Sequence, residues 1–345
     1  MIFNKFFILF KIGRKIGKSN IINIVSETHK IPVFIKLFFN LLAFSFSSSN
    51  TTKSKGRENL SESIQEMGTT FIKLGQFLAT RPDIIGEKLS KELESLQDKL
   101  PPFSKKEAEK IIIENLGQSN FDDIIDLSEP IAAASIAQVH KAKIKEDNII
   151  KNVAIKVLRP NIKKIFNDEI DAIMLLAYIV ESLISKTKRL KLIEVVFLFK
   201  EITNHEMDLR FEAAAANEYA ENTKNDLGFF VPKIYWNFTS ESVLTLDWVD
   251  GVSIREKDLL KEKNIETSKI ATNLIQHFLR HAVRDGFFHA DMHQGNIFIN
   301  ESSQIVPIDF GIMGRIDKLS RRYLAEILYG FVRRDYKKVA EVHLL

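Results

Sequence analysis

The stretch that decides the fold is Phe288-His289-Ala290-Asp291-Met292-His293-Gln294-Gly295-Asn296-Ile297-Phe298, followed after a short gap by Ile308-Asp309-Phe310-Gly311. It places an acid, Asp291, five positions before an amide, Asn296, and a second acid, Asp309, in an Asp-Phe-Gly tripeptide. Carboxylate and amide oxygens are hard ligands of the kind that Mg²⁺ prefers, and Mg²⁺ needs few of them because it keeps part of its water shell. The stretch therefore predicts a polar loop followed by a metal-binding acid.

Phosphoryl-transfer sites use this order of parts. An acid in the loop takes or orients the proton of the nucleophile, while the amide and the later acid hold metal ions that bridge the phosphates. The sequence thus predicts Asp291 as the catalytic residue and Asn296 and Asp309 as metal ligands. Because Asp-Phe-Gly alone is a common tripeptide, the alternative is a polar loop after a helix with a chance tripeptide. The upstream parts of the chain decide between the two interpretations.

The composition bounds the class of protein. The chain has 345 residues, enough for one large or two smaller domains, and it has no cysteine, which excludes disulfides, thiolate metal sites and a cysteine nucleophile. The net charge is +4, and residues 1–60 hold ten Lys/Arg and two Asp/Glu, which leaves −4 for the remainder. A uniformly basic nucleic-acid-binding protein would not concentrate its positive charge in this way, and we expect no nucleic-acid partner.

The first 50 residues are predicted to form a basic, apolar N-terminal arm. Residues 31–46 are apolar except for Lys36, Asn40 and Ser45. This run is too short and too interrupted for a membrane span of about 20 apolar residues. Two interpretations stay open: an amphipathic segment that lies on an anionic membrane surface, and a helix packed against the body of the protein.

A lysine that contacts nucleotide phosphates is predicted on a strand. The alternation of Val153, Ile155 and Val157 is typical of a strand, and Lys156 in Val-Ala-Ile-Lys fits the pattern of such a lysine. The element before it should be a hairpin over the phosphates, but it is rich in alanine where glycine would allow a close approach. We therefore expect a weakened or altered grip on the nucleotide. The predicted cofactor-binding residues of this hairpin are Ile131, Ala132, Ala133, Ala134, Ser135, Ile136, Ala137, Gln138 and Val139.

Two helices are predicted between residues 58 and 100, where apolar residues recur at helical spacing. Pro82 should end the first of them. Lys73 and Gln76 are three positions apart, so they share a helix face. Taken alone, that face would be an ordinary solvated one.

A long helical pattern is predicted over residues 190–222. Asp208 and Glu212 are four positions apart and should face the same way, an unfavourable pair of like charges unless a cation lies nearby. Lys156 and a metal would supply that cation. Glu212 is therefore our candidate for the carboxylate that orients Lys156, and a solvated acidic face is the alternative.

These parts, in this order, resemble the UbiB family of atypical kinase-like proteins, the bacterial relatives of the mitochondrial coenzyme-Q-linked ATPases. The similarity extends over residues 55–330, and the combination of a Lys-x-Gly-Gln helix with an alanine-rich loop is highly specific to that family. The residues that carry the resemblance are the Lys73-x-Gly75-Gln76 helix, the loop from Ala132 to Gln138, Lys156, Glu206-x-Asp208 with Glu212, the segment from Asp291 to Asn296, and Asp309.

The resemblance implies an α+β, two-lobed protein-kinase-like fold with an added N-terminal helical (Lys-x-Gly-Gln) subdomain. That subdomain would cover the site and hinder protein substrates, which gives a regulatory role to Lys73, Gln76, Glu206 and Asp208. The expected division is an N-terminal arm over 1–50, a helical extension over 51–127, a kinase-like N-lobe with inserted helices over 128–250, and an incomplete kinase-like C-lobe over 251–345.

The resemblance also implies ATP and Mg²⁺ as cofactors, and a role in ubiquinone (coenzyme Q) biosynthesis at the cytoplasmic face of the bacterial inner membrane. The expected partners are a membrane lipid or ubiquinone precursor and the enzymes of that pathway. Three functions follow as hypotheses: an ATPase or small-molecule kinase, a protein kinase that regulates a ubiquinone-biosynthesis enzyme, and a non-catalytic, nucleotide-gated scaffold. The intact Asp291 and Asp309 argue against the scaffold.

The sequence departs from the family pattern in two places. Gln294 stands where the family usually has a proline, a change that a loop should tolerate. Only 34 residues follow Gly311, and further C-lobe helices and the C-terminal membrane segments of the family are missing from them. The sequence is therefore expected to be a fragment or a shortened product.

Overall fold

The structure is a computed structural model, and it describes residues 60–94, 96, 100–183 and 185–344 together with residues 8, 10 and 12–14. The rest of the predicted N-terminal arm lies outside the described residues. Contacts between Cα atoms divide the chain into two compact units that are interleaved along the sequence. The helical unit comprises Met1–Ala108, Pro130–Val139 and Leu158–Met207, and the sheet unit comprises Glu109–Glu129, His140–Val157 and Asp208–Leu345. The predicted division into four domains stays a prediction.

The first two thirds of the described chain hold a run of helices, then a run of strands, then helices again. The helices before the first strand are α1 (Leu60–Met67), α2 (Thr69–Ala79), α3 (Pro82–Ile85), α4 (Glu87–Leu93), α5 (Lys105–Leu116) and α6 (Gln118–Asp122). The strands that follow are β1 (Ile124–Ile125), β2 (Pro130–Ala133), β3 (Ala137–Glu146) and β4 (Ile149–Leu158). Then come α7 (Ile162–Leu183), a 3₁₀ turn (Ser185–Leu190), α8 (Leu192–Glu206) and α9 (Leu209–Thr223).

The last third holds short strands between helices. Its first part contains a 3₁₀ turn (Trp236–Phe238), β5 (Val243–Asp247), β6 (Gly251–Ser253), α10 (Lys257–Glu262), α11 (Thr267–Arg280) and a π-helical turn (His281–Asp285). Its second part contains β7 (Phe287–His289), β8 (Ile297–Asn300), β9 (Ile305–Pro307), β10 (Met313–Arg315), α12 (Lys318–Arg333) and α13 (Tyr336–His343). This mixture of helices and sheets agrees with the predicted α+β class.

The helical unit packs α2 against α1, α4, α7 and α8. The two helices predicted over residues 58–100 are four in the structure. Glycines at positive φ stand at two of the three junctions: Gly68, with φ 103°, lies between α1 and α2, and Gly86, with φ 83°, lies between α3 and α4. Glycine adopts such angles without a steric penalty. Pro82 does mark a boundary, but as the first residue of α3, where its missing N–H is not needed.

The alanine-rich segment forms the predicted hairpin, in which β2 pairs with the beginning of β3. Gln138 in this hairpin has 0% exposure, and its side-chain amide is hydrogen-bonded to both the backbone N–H and the backbone carbonyl of Phe103. Its Oε1 accepts the Phe103 N–H at 2.9 Å, and its Nε2 donates to the Phe103 carbonyl at 3.2 Å. Arg159 donates to the Ala134 carbonyl at 2.8 Å. Gln138 thus has a structural role in the helical unit, whatever its relation to a nucleotide.

The sheet unit contains the strand order β1-β3-β4-β5, with β4 and β5 antiparallel. Val153, Ile155 and Val157 of β4 are buried, which confirms the predicted strand alternation. Lys156 lies on the opposite face of the strand. Helix α9 packs against β5, and two smaller sheets, β6-β8-β9 and β7-β10, carry the loops of the C-terminal third.

The helical pattern predicted over 190–222 is interrupted at Met207 and Asp208. Asp208 has an extended backbone (φ −120°, ψ 96°), and its side chain accepts the backbone N–H of Arg210 at 3.1 Å. Aspartate is among the best N-cap residues because its carboxylate satisfies an unpaired amide of the first turn. The prediction that Asp208 and Glu212 form a like-charge pair on one helix was therefore wrong: Asp208 begins the helix and makes an ion pair with Arg210 at 2.6 Å.

In the part of the chain that the structure describes, helix length and hydropathy give no candidate for a membrane-crossing helix.

Replacing Gln138 with leucine should destabilise the helical unit by about 1–3 kcal/mol, because two hydrogen bonds to the partly buried backbone of Phe103 would be lost. Urea unfolding of wild type and Gln138→Leu measures the difference. Gln118→Leu is the matched control, since Gln118 is exposed and its side chain donates to the exposed side chain of Asp122 at 2.8 Å. Equal unfolding midpoints for wild type and Gln138→Leu would contradict the stabilising role assigned to the hydrogen bonds between Gln138 and Phe103.

Candidate functional site

Two short antiparallel ladders bring the segment from His289 to Asn296 beside Asp309. In the first ladder His289 of β7 pairs with Met313 of β10. In the second, Ile297 pairs with Pro307, and the Asn296 carbonyl accepts the backbone N–H of Ile308 at 3.0 Å. The polar loop predicted from the sequence therefore lies next to the Asp-Phe-Gly segment.

His289 joins these two segments through its ring. Nδ1 accepts the backbone N–H of Asp291 at 3.1 Å, and Nε2 is hydrogen-bonded to the Asp309 carbonyl. A carbonyl can only accept, so the proton lies on Nε2 and the ring is neutral. Burial lowers the pKa of His289 and favours the same neutral form. A single ring thus fixes the backbone of both predicted acids.

Asp291 and Asn296 are hydrogen-bonded across the polar loop. The Asn296 Nδ2 donates to the Asp291 Oδ2 at 3.2 Å and to the Asp291 carbonyl at 3.3 Å. The amide nitrogen of Asn296 therefore donates within the loop. Its amide oxygen is the atom that can coordinate a cation. The Asp291 side chain is 41% exposed, so it can reach a substrate from solvent.

Lys156 is held by Glu212 in a two-pronged ion pair. Its Nζ lies 2.9 Å from both Oε1 and Oε2 of Glu212. The two side chains are only 18% and 8% exposed, so the pair is largely removed from water. The structure thus brings together the strand lysine and the helix carboxylate that the sequence paired.

Asp309 completes this cluster of charges. Its Oδ2 lies 3.8 Å from the Lys156 Nζ, and its Oδ1 accepts the backbone N–H of Gly311 at 3.0 Å. Burial raises the pKa of Glu212; Lys156 opposes this shift, the Asp309 charge adds to it, and the backbone amide of Phe310 also opposes it. One ammonium group therefore sits between a buried carboxylate and a half-exposed one.

The residues of this cluster fit a hard divalent cation. The Asp309 carboxylate is 45% exposed and faces solvent as well as Lys156. Together with the Asn296 amide oxygen it offers the small set of oxygens that Mg²⁺ uses when phosphates and water complete its shell. The cluster combines the ammonium group of Lys156 with the buried carboxylate of Glu212 and the half-exposed carboxylate of Asp309.

The remaining predicted site residues belong to the helical unit, except for Asp208, which begins α9 of the sheet unit. Lys73 of α2 makes an ion pair with Glu206 of α8 at 2.9 Å, with 16% and 18% of the side chains exposed. Gln76 lies one turn further along α2. In the alanine-rich hairpin Ile131 is 51% exposed, while Ser135 is fully buried. Their predicted regulatory and nucleotide-binding roles stay predictions.

Sequence reasoning gave no role to two residues that the structure puts at the site. His289 bridges the two segments. Its position in the sequence, two residues before Asp291, was a signal from which a role at the site could have been predicted. Phe310 is 2% exposed, and its ring centroid lies 6.0 Å from that of His289. No spacing rule within the sequence would have identified this ring contact.

The chain is similar to known proteins over most of its length. The model of the ABC1 atypical kinase-like domain matches residues 95–343. A protein from Marinobacter nauticus described as "Probable protein kinase UbiB" is 36% identical over 320 residues, which cover 91% of this chain and 58% of the relative. A protein of the same description from Pseudomonas aeruginosa is 32% identical over 342 residues, covering 97% and 63%. The chain thus spans less than two thirds of the length of these curated relatives.

A solved structure shares the fold. It is the complex of Rv3197 with erythromycin from Mycobacterium tuberculosis, and it matches with a TM-score of 0.51 and 22% sequence identity over 78% of this chain and 66% of the other. The domain match, the relatives and the shared architecture agree with the family expected from the sequence motifs. The chain belongs to the ABC1 family of atypical kinase-like proteins.

Proposed function

We propose that this chain binds ATP with Mg²⁺ and transfers its terminal phosphoryl group to water or to a small molecule. The observation that carries the proposal is the position of Lys156, whose ammonium lies 2.9 Å from Glu212 and 3.8 Å from Asp309. Kinase-like sites use such a lysine to hold phosphate oxygens, a helix carboxylate to orient it, and a nearby acid to hold the metal.

The roles of the residues follow from their chemistry. Glu212 holds the ammonium of Lys156 in place for the phosphates, and Asn296 and Asp309 supply oxygen ligands to Mg²⁺. The metal, when bound, neutralises charge on the phosphates. Asp291 orients the attacking hydroxyl or water and accepts its proton. Transfer then moves the terminal phosphoryl group from ATP to the attacking oxygen: the bond from the γ-phosphorus to the β–γ bridging oxygen breaks, ADP leaves, and the proton of the attacking group passes to Asp291.

The cellular setting is also part of the proposal. The UbiB-named relatives support a role in ubiquinone biosynthesis, with a membrane lipid or a ubiquinone precursor as the expected acceptor or regulator and enzymes of the pathway as partners. The cytoplasmic face of the bacterial inner membrane is the expected location. A helical subdomain that hinders protein substrates would favour ATP hydrolysis or small-molecule transfer over protein phosphorylation.

A protein kinase that regulates another enzyme is the second candidate, and the name of the relatives, "Probable protein kinase UbiB", favours it. Incubation with labelled ATP and enzymes of ubiquinone biosynthesis separates the two. Label in a protein partner supports the second candidate, and ATP consumption without labelled protein supports the first.

Replacing Asp309 with asparagine should reduce Mg²⁺-dependent ATP hydrolysis by about 100-fold or more, because the metal loses its charged ligand. The measurement is phosphate release by the purified chain, with and without lipid vesicles. Asp147→Asn is the matched control: Asp147 is exposed in the turn between β3 and β4 at φ 48°, an angle that asparagine tolerates. Hydrolysis by Asp309→Asn at the wild-type rate would refute the proposed site.

Replacing Glu212 with glutamine should weaken the binding of ATP by about tenfold, because Lys156 loses the charge that orients it while the side-chain volume stays the same. Titration calorimetry with a non-hydrolysable ATP analogue measures the change. Glu218→Gln on the same helix is the control, since it breaks an exposed ion pair with Arg315 of 2.7 Å that contributes little to stability. If both variants bind the analogue as wild type does, Glu212 has no part in nucleotide binding.

A further inference from the structure

The turn between α12 and α13 exposes an unbroken run of side chains to which the proposed reaction gives no role. Every residue from Phe331 to Lys338 is exposed to solvent. We define the α12–α13 turn as residues 329–338, which also include the exposed Tyr329 and the buried Gly330. All of these residues belong to the sheet unit.

Four large apolar or aromatic side chains of the turn face water. Val332 is 82% exposed, and the exposed fractions of the other three lie between 55% and 62%: Tyr329, Phe331 and Tyr336. The rings of Phe331 and Tyr336 pack edge-on, with 6.2 Å between their centroids. A single exposed apolar residue is ordinary, whereas several that lie together indicate a surface that contacts another body.

The turn is also a local concentration of positive charge. It contains one acid, Asp335, and four cations, which gives a net charge of +3: Arg333, Arg334, Lys337 and Lys338. Residues 61–345 together carry −4, so this basic turn belongs to an acidic body. Among the residues that the structure describes, no carboxylate forms an ion pair with the first three of these cations. Their charges are therefore available to an anionic partner.

The backbone holds the turn in one shape. Arg334 ends α12 at φ 59°, and the N–H of Asp335 donates to the Gly330 carbonyl at 2.9 Å. The Asp335 carboxylate then caps α13 by accepting the N–H of Lys338 at 3.1 Å. A Cβ on Gly330 would lie 2.6 Å from Cγ2 of Val339, so glycine lets α13 pack closely on α12. A surface that is already fixed in this way loses little conformational entropy on binding.

The mixture of side chains fits the boundary between water and a lipid bilayer. Tyr329, Val332 and Arg333 are spaced by three and four positions, so they share one face of α12. Tyrosine is enriched at that boundary, an aliphatic side chain gains by leaving water there, and a cation is attracted by anionic headgroups. The Arg333 Nε donates to the Tyr329 hydroxyl at 3.0 Å, which places this charge beside the polar end of the tyrosine.

We propose that the α12–α13 turn docks the sheet unit on an anionic lipid bilayer, with its cations at the headgroup phosphates and Phe331 and Val332 at the outer ends of the acyl chains. A single-stranded nucleic acid is the less suitable partner: it would use the cations and the rings but gain nothing from Val332, the most exposed of the four apolar side chains. This inference deepens the membrane setting of the proposed function, on which its cellular meaning rests. It uses no step of ATP chemistry, so the two can fail separately.

The test places one labelled cysteine on the turn, because the chain has no cysteine of its own. Val332→Cys carries an environment-sensitive fluorophore and is mixed with phosphatidylcholine vesicles that either contain or lack phosphatidylglycerol. Its emission should move to shorter wavelength with the anionic vesicles alone, because the label leaves water there. Total vesicle binding would also include any contribution of the basic N-terminal arm, whereas this label reports on the turn itself.

Ile275→Cys with the same label is the matched control. Ile275 is an apolar residue of α11 in the sheet unit, and it is 59% exposed. Its emission should stay unchanged with both kinds of vesicle. A shift in this control as large as that at position 332 would overturn the proposal, because the fluorophore would then be binding lipid by itself.

Neutralising two cations of the turn should weaken the binding of labelled Val332→Cys to anionic vesicles by about 30-fold. The changes are Arg334→Asn, which suits φ 59°, and Lys337→Gln. Lys261→Gln with Lys263→Gln removes the same charge from the exposed end of α10 and should change the affinity by less than about twofold. Equal losses in the two double variants would show that net charge, and not the turn, governs binding.

The remaining results each decide the proposal. A shift confined to position 332 and to anionic vesicles supports it, and no shift with those vesicles overturns it. A shift that needs no lipid and grows with protein concentration would assign the turn to a second copy of the chain instead. A shift with single-stranded RNA but not with vesicles would assign it to a nucleic acid. Absence of ATP hydrolysis by wild type would remove the proposed function and leave the outcome at the turn unaffected.

Discussion

The ion pair between Lys156 and Glu212 is the interaction on which the arrangement of the sheet unit depends. Lys156 lies on a strand whose other face packs in the core, and its own side chain is only 18% exposed. Because its ammonium group is largely shielded from water, it needs a charged partner. Removing one member of such a pair costs about 3–5 kcal/mol, because it leaves an uncompensated charge. The pair therefore fixes how α9 lies against β4 and β5, and Asp208 fixes where along the chain that helix begins.

A second constraint comes from the shortness of the strands around the candidate site. Strands β7, β9 and β10 have three residues each, too few for their backbone hydrogen bonds alone to set the loops firmly. Side chains supply the rest: the neutral ring of His289 joins the Asp291 segment to the Asp309 segment, and Asn296 closes the polar loop. Neutral histidine suits this task because it donates at one nitrogen and accepts at the other.

Much of the site could be predicted from the sequence, because its residues occur in motifs with a fixed order. Lys156, Asp291, Asn296 and Asp309 were predicted in this way, and the pairing of Glu212 with Lys156, which the structure shows at 2.9 Å, followed from charge. The helix break at Asp208 was missed, because helical periodicity does not reveal when an aspartate will cap a helix. The role of His289 was missed for a different reason: the carbonyl that its ring contacts belongs to Asp309, 20 positions away in the sequence, and only the fold brings the two together.

The central claim is that Lys156, Glu212 and Asp309 form a nucleotide site with a divalent cation. Its most direct test is calorimetric titration of wild type and Lys156→Met with a non-hydrolysable ATP analogue, each with Mg²⁺ and with a chelator. Our account predicts that wild type binds tighter with Mg²⁺ and that Lys156→Met binds at least about tenfold more weakly. Equal affinity in all four titrations would contradict it, because the analogue would then be bound by neither the lysine nor the metal.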